Sequence, residues 1–192
     1  MDDALRERLL SSQTVFEGRL LTVRVDEVEL PSGAKATRET VLHPGAVVIV
    51  PLLDDGRVVM IRQYRHATGK VLWELPAGLL EEGEEPACAA RRELVEEVGY
   101  EVGELALLFS SYLSPGFSSE LAYIFVARGL RKVEARTQPD ESIRVAEMPL
   151  GEAVAMVHRG EVQNAAAICG LLAVAESRGS GSNRRSGPSV ER

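Results

Sequence analysis

The 192-residue chain is long enough for one domain but not for a multidomain machine, and its 45% hydrophobic content can fill a core. Its formal charge is −7; Glu176 to Arg192 hold four Arg against two Glu, so the preceding body carries 18 basic against 27 acidic residues, or −9, and repels a DNA or RNA backbone unless cations intervene. Two cysteines, Cys88 and Cys169, are too few and too far apart for a disulfide framework or zinc site, and no apolar run approaches the roughly 18 residues of a membrane span, so a soluble cytoplasmic protein is expected, with neither a nucleic-acid polymer nor a membrane as partner.

In chain order, residues 19–30 alternate apolar and polar, Pro31-Ser32-Gly33 makes a turn and residues 36–42 suit a strand, which together predict an antiparallel hairpin. Residues 46–53 are almost continuously apolar, Asp54-Asp55-Gly56 turns the chain and residues 58–64 are rich in β-formers; these predict buried central strands. Residues 76–85 read as a loop rich in Gly and Glu. Pro86 then opens a helix, since its missing N–H is no loss in the first turn, and Gly99 ends it. Strands are expected at 106–113, 122–127 and 143–146, separated by the loops 114–119 and 136–141, and helices at about 150–158 and 162–176. The order predicts an α/β domain over residues 44–176, preceded by the hairpin region 1–43 and followed by a Ser-, Gly- and Arg-rich tail, 177–192, expected to be disordered and solvated.

The chemistry lies between Gly78 and Tyr100. On a helix turning about 100° per residue, Ala87, Ala90, Leu94 and Val98 form an apolar stripe, with Glu93 and Glu97 at its edge, their Cβ atoms about 6 Å apart, and Glu96 one step further round. Three carboxylates so close repel one another unless a cation sits among them, and such hard oxygen ligands suit Mg²⁺ or Mn²⁺. A solvated acidic face is the plainer reading of the same residues. The wider spacing decides between them: Gly78, five residues, Glu84, seven residues, Arg92-Glu93, Leu94, one residue, Glu96-Glu97, one residue, Gly99. All seven fixed residues of the Nudix box are present, a match whose chance occurrence is on the order of one in 10⁵. The chain therefore resembles the Nudix hydrolase superfamily. Tyr100 is the one departure, at a packing position where the pattern asks for an aliphatic residue.

Over roughly residues 14–175 the chain is similar to the ADP-ribose pyrophosphatase branch. Trp73-Glu74-Leu75-Pro76-Ala77-Gly78, Arg62-Gln63-Tyr64-Arg65 and Ser114-Pro115-Gly116 carry the likeness, with Pro115 sixteen residues after Gly99. The resemblance implies an α/β/α sandwich around a mixed sheet, with the N-terminal hairpin forming an intertwined homodimer. It implies Mg²⁺-dependent hydrolysis of a nucleoside diphosphate derivative, ADP-ribose yielding AMP and ribose 5-phosphate. By the same resemblance Glu93, Glu97 and the Ala77 carbonyl are metal ligands, Glu96 is a further ligand or a water-positioning residue, and Arg92 holds the box glutamates. Glu141 is a loop base or water-positioning group, with Asp140 in reserve; Arg65 contacts phosphate; Arg38 and Glu74 lie at the nucleotide pocket, Arg38 serving either this subunit or its neighbour; and Gly116 shapes the wall beside the terminal ribose. Phe16 reads as a core aromatic rather than an adenine-stacking one. His43, His66 and His158 lie outside the motifs and read as structural or exposed.

Two other functions remain in view. The box binds metal and diphosphate but not the base, so the substrate could be another nucleotide-sugar, a dinucleotide polyphosphate or an oxidised nucleotide. The fold could also serve as a non-catalytic ligand sensor, against which stand the intact glutamates and the lack of an appended helix-turn-helix segment.

Overall fold

The computed structural model describes residues 3–135 and 142–180; Asp140, Glu141 and the tail from residue 181 onward lie outside the described residues. Three strands, β1 (Arg8–Glu17), β2 (Thr22–Glu29) and β3 (Lys35–Leu42), form an N-terminal antiparallel sheet in the order β1-β2-β3. The predicted hairpin is the β2–β3 pair, with Val23 opposite Val41, but β1 was not expected. Its centre, Ser11-Ser12-Gln13-Thr14, is polar and almost all of the strand is exposed, so no apolar alternation marks it. Cross-strand polar contacts hold it instead: the Ser12 hydroxyl donates to the buried Asp26 carboxylate at 2.5 Å. Phe16, read as a core aromatic, is 55% exposed on this strand, which corrects that expectation.

The remaining chain builds two further sheets. Strands β4 (Ala46–Pro51), β7 (Ala77–Leu79), β8 (Tyr100–Tyr112) and β9 (Leu121–Lys132) form a mixed sheet ordered β7-β4-β9-β8, in which only β4 and β9 run parallel. Strands β5 (Arg57–Arg65), β6 (Lys70–Glu74) and β10 (Ile143–Pro149) make an antiparallel sheet ordered β10-β5-β6. The apolar run in β4 is continuous because both faces are covered. Val47 and Ile49 pack with Ala89, Ala90, Leu94 and Val98 of helix α1 (Pro86–Val98), while Val48 and Val50 join Met156, Ala167 and Leu171 from helices α2 (Leu150–His158) and α3 (Ala165–Ser180). Side chains two apart share a face of a strand, and the two cores follow from that alternation. The result is the α/β/α sandwich around a mixed sheet.

Three local expectations are corrected. The stretch read as loop contains β7, Ala87 is exposed while Ala89 takes its place in the apolar stripe, and the last helix begins at Ala165, where the Asn164 side-chain oxygen accepts the Ala167 N–H at 2.9 Å. No helix among the described residues is long and apolar enough to cross a membrane.

Helix α1 stops where the sequence places its end. Gly99 adopts φ 68°, the left-handed cap conformation, and a Cβ there would sit 2.8 Å from the Val133 carbonyl, so both the dihedral and the space require glycine. Tyr100 then crosses to β10, its buried hydroxyl donating to Glu147 at 2.6 Å beneath the Lys132 ammonium. An aliphatic side chain would pack here but could not make this bond. Burial and the Glu147 carboxylate push the Tyr100 phenol up to about 12, while the donated bond holds Glu147 below the usual carboxylate range. A raised folded-state pKa stabilises the protein below the unfolded tyrosine value near 10 and loses that effect as pH rises through the folded value. Tyr100→Phe should therefore be less stable than wild type at neutral pH, and the gap should close between about pH 10 and about pH 12. Urea unfolding of both proteins along a pH series measures this; a pH-independent gap would mean that the phenol contributes only packing.

Candidate active site

The packing of α1 takes two of its carboxylates out of water. Glu97 is 2% and Glu93 6% exposed, and ionised carboxylates at that depth need partners. The Ala77 backbone N–H donates to Glu97 at 2.9 Å. Gly78 packs against Glu93 so closely that a Cβ would lie 1.9 Å from the carboxylate oxygen. Pairing of Val47 with Gly78 and Val48 with Ala77 fixes this stretch as a strand on β4, so the first glycine of the motif is there for close approach.

Arg92 gathers the other acids. Its guanidinium donates to both Glu84 oxygens at 3.0 and 2.9 Å, to Glu93 at 2.6 Å, to Glu96 at 3.4 Å and to the Leu79 carbonyl at 3.2 Å. The bidentate bond from Arg92 holds the Glu84 carboxyl below its ordinary range, and the arginine's own pKa is raised, chiefly by that bond. One cation thus offsets the repulsion among three of the motif's glutamates.

A cleft of about 860 Å³ opens beside this cluster, lined by Arg65, Glu74, Ala77, Gly78, Arg92 and Glu93 among others. Arg65 forks onto Glu74 with bonds of 3.0 and 2.7 Å, and Glu74, only 1% exposed, anchors the arginine at the cleft wall. Arg38 and Gly116 lie elsewhere, together in a smaller recess of about 320 Å³, where Arg38 pairs with Glu7. The loop bearing Gly116 is stitched to β3: the Val41 N–H donates to the Phe117 carbonyl at 2.7 Å and the Ser119 N–H to the Val41 carbonyl at 2.9 Å. Arg19, His43 and Asn164 also line the main cleft. None belongs to a motif, and only chain folding brings them there; the polar residue next to the Pro44-Gly45 turn was the one local signal for His43.

A family model described as the NUDIX domain matches residues 42–169, well over half of the chain. The chain belongs to the NUDIX family. A second model, the nucleoside diphosphate sugar hydrolase N-terminal domain, matches residues 7–41, the region of the first sheet. An ADP-ribose pyrophosphatase of Bacillus subtilis strain 168 is 38% identical over 164 residues, covering 84% of this chain and 89% of that protein. One from Mycobacterium tuberculosis strain H37Rv is 44% identical over 171 residues, covering 86% and 81%. A crystal structure of an ADP compounds hydrolase superposes with a TM-score of 0.82 at 28% identity, covering 94% of this chain and 97% of that one.

NUDIX hydrolases generally need a divalent metal ion. Among the described residues no three His, Cys, Asp or Glu side chains form a ready-made metal cage; Arg92 and the Ala77 N–H occupy the carboxylates instead. The donor set nonetheless fits a hard dication, because the carboxylate oxygens of the desolvated Glu93 and Glu97 lie against the Ala77-Gly78 backbone.

Gly78→Ala tests how tightly this NUDIX site is drawn. Its φ is not positive, so alanine suits the backbone, and the clash falls on the Glu93 side chain, from the carboxylate to Cγ, rather than on backbone. Glu93 should swing away, cutting kcat by about 10²-fold while the melting temperature falls only a few degrees. Wild-type kcat with an intact fold would show that the Glu93 position is not critical.

Proposed function

We propose that the protein is a Mg²⁺-dependent cytoplasmic ADP-ribose diphosphatase yielding AMP and ribose 5-phosphate. The observation that carries this reading is the buried pair Glu93 and Glu97 facing Ala77-Gly78 beside a cleft of diphosphate-ester size. The activity named for the two pyrophosphatase relatives supports the choice of substrate, and their high coverage supports extending it to the whole chain.

Glu93 and Glu97, with Glu96 and the Ala77 carbonyl, would hold the metal. A Mg²⁺ ion held there would offset the charge of the diphosphate and make water a stronger acid. Arg65, oriented by Glu74, meets a phosphate oxygen, and Arg92 holds the carboxylates in place. A glutamate, either Glu141 or one of the box, takes the proton of water as its oxygen bonds to phosphorus; the bridging P–O bond breaks and the other phosphate leaves with the electron pair. No covalent enzyme intermediate forms. Arg38 serves the nucleotide pocket of this subunit or its neighbour, and the loop bearing Gly116 shapes the wall beside the terminal ribose.

In a phosphate-release assay with Mg²⁺, ADP-ribose should show a higher kcat/KM than ADP-glucose, NADH, Ap4A or 8-oxo-dGTP, and EDTA should abolish turnover. Glu97→Gln should lower kcat by at least about 10²-fold with the fold intact. Gly116 faces open space, so Gly116→Val should leave stability alone and raise KM chiefly for ADP-ribose. A panel led by a triphosphate would replace the substrate and leave the family chemistry standing.

We further propose that residues 1–43 dimerise the chain. Leu9, Val15, Phe16 and Leu20 are all about half exposed on or beside β1, an apolar surface that an isologous partner would cover. Sedimentation should give a species of twice the 20.9 kDa chain mass; a monomer at micromolar concentration would contradict it.

A further inference from the structure

His43 lies in no motif, yet it lines the main cleft. Its ring is half-buried and its Nδ1 accepts the Gly45 backbone N–H at 3.1 Å. A neutral imidazole with one nitrogen accepting must carry its proton on the other, so this bond fixes the tautomer in which Nε2 is the donor. Nε2–H makes no hydrogen bond among the described residues. The backbone of His43 is held as firmly as its ring. Its N–H donates to the Ser119 hydroxyl at 2.9 Å, and the Gly45 carbonyl accepts from Leu80 in the box loop at 3.2 Å. His43 is thus tied on one side to the loop that carries Pro115 and Gly116, and on the other to the start of the catalytic motif.

We propose that His43 is a specificity residue whose Nε2–H donates to a hydroxyl of the sugar on the distal phosphate. The assignment rests on the diphosphatase reading above. A neutral N–H suits a hydroxyl: it adds no charge to a cleft where Arg65 and Arg92 already meet the carboxylates of Glu74 and Glu93. Because Ser119 fixes His43 to the 114–119 loop, the donor belongs to the wall at the sugar side of the ligand rather than to the metal cluster. A site built to donate to a hydroxyl discriminates against ligands lacking one, since its donor is then left without a partner.

The two nitrogens can be separated by substitution. The oxygen of Asn reproduces the Nδ1 acceptor without the distal donor, whereas the amide nitrogen of Gln reproduces Nε2–H. The readout is the ratio of kcat/KM for ADP-ribose to that for the methyl ester of ADP, which keeps the diphosphate and lacks the second sugar. His43→Asn should lower this ratio about fivefold, mostly through KM, and His43→Gln should restore most of it. Ser119→Ala, which frees the His43 backbone without touching the ring, should lower it in the same direction. Thermal melting should find all three variants folded. An unchanged ratio in His43→Asn, or retention by Asn with loss in Gln, overturns the proposal and leaves His43 a structural residue; equal losses on both substrates place the donor on phosphate and overturn the sugar assignment. Wild-type enzyme that hydrolyses the methyl ester but not ADP-ribose would instead refute the substrate reading itself.

Discussion

Like charges held together out of water set the terms for this molecule. Glu93, Glu97 and Glu74 are each at most 6% exposed, and Glu84 and Glu96 lie within reach of the same arginine. Burying an unpaired carboxylate costs several kcal/mol, and neighbouring carboxylates raise that cost further. Every one of these groups is matched by a donor of its own chain: Arg92 for three of them, the Ala77 N–H for Glu97, Arg65 for Glu74. The arginines hold the acids in register with the cleft.

That arrangement needs a rigid floor, which the alternating burial of β4 provides. With Val47 and Ile49 against α1 and Val48 and Val50 against α2 and α3, the strand cannot shift by one residue without exchanging both cores. β7 takes its register from β4, and through it Ala77 and Gly78 are set against the α1 carboxylates. Core packing and site geometry are therefore one constraint. The distances around Glu93 leave no room for a methyl group, whereas Gly116 faces open space.

How much of this the sequence disclosed depends on whether the signal was local. Helix α1 was legible because Pro86 and Gly99 mark its ends by backbone chemistry and the motif spacing lies within it. The central strands were legible from their apolar run. β1 was not, because a polar exposed strand paired through Ser12 and Asp26 has no periodicity to detect. β7 was not, because three residues containing a glycine carry no strand propensity and the pairing with β4 alone creates it. At the site, the acid cluster could be read from spacing, but Arg65 gains its meaning from Glu74 nine residues on, and His43 from Ser119, which is distant in the chain. The helical wheel put Ala87 in the stripe; the actual rotation of α1 on the sheet gives that place to Ala89.

The parallel pairing of β4 with β9 carries a consequence for how the protein comes to be made. Ala46 lies opposite Ala122, so the floor beneath α1 is incomplete until the chain has been synthesised past β9. Local structure such as α1 can form early, but contacts across such a separation form late because a long loop must close first. The residues that precede α1, Val47, Ile49, Val59 and Ile61 for its apolar stripe and Ala77 and Gly78 for its glutamates, are available to it as soon as it is made. The carboxylate cluster is built from contacts within residues 77–97, so it can assemble before the long-range pairing of β4 with β9 closes the sheet beneath it.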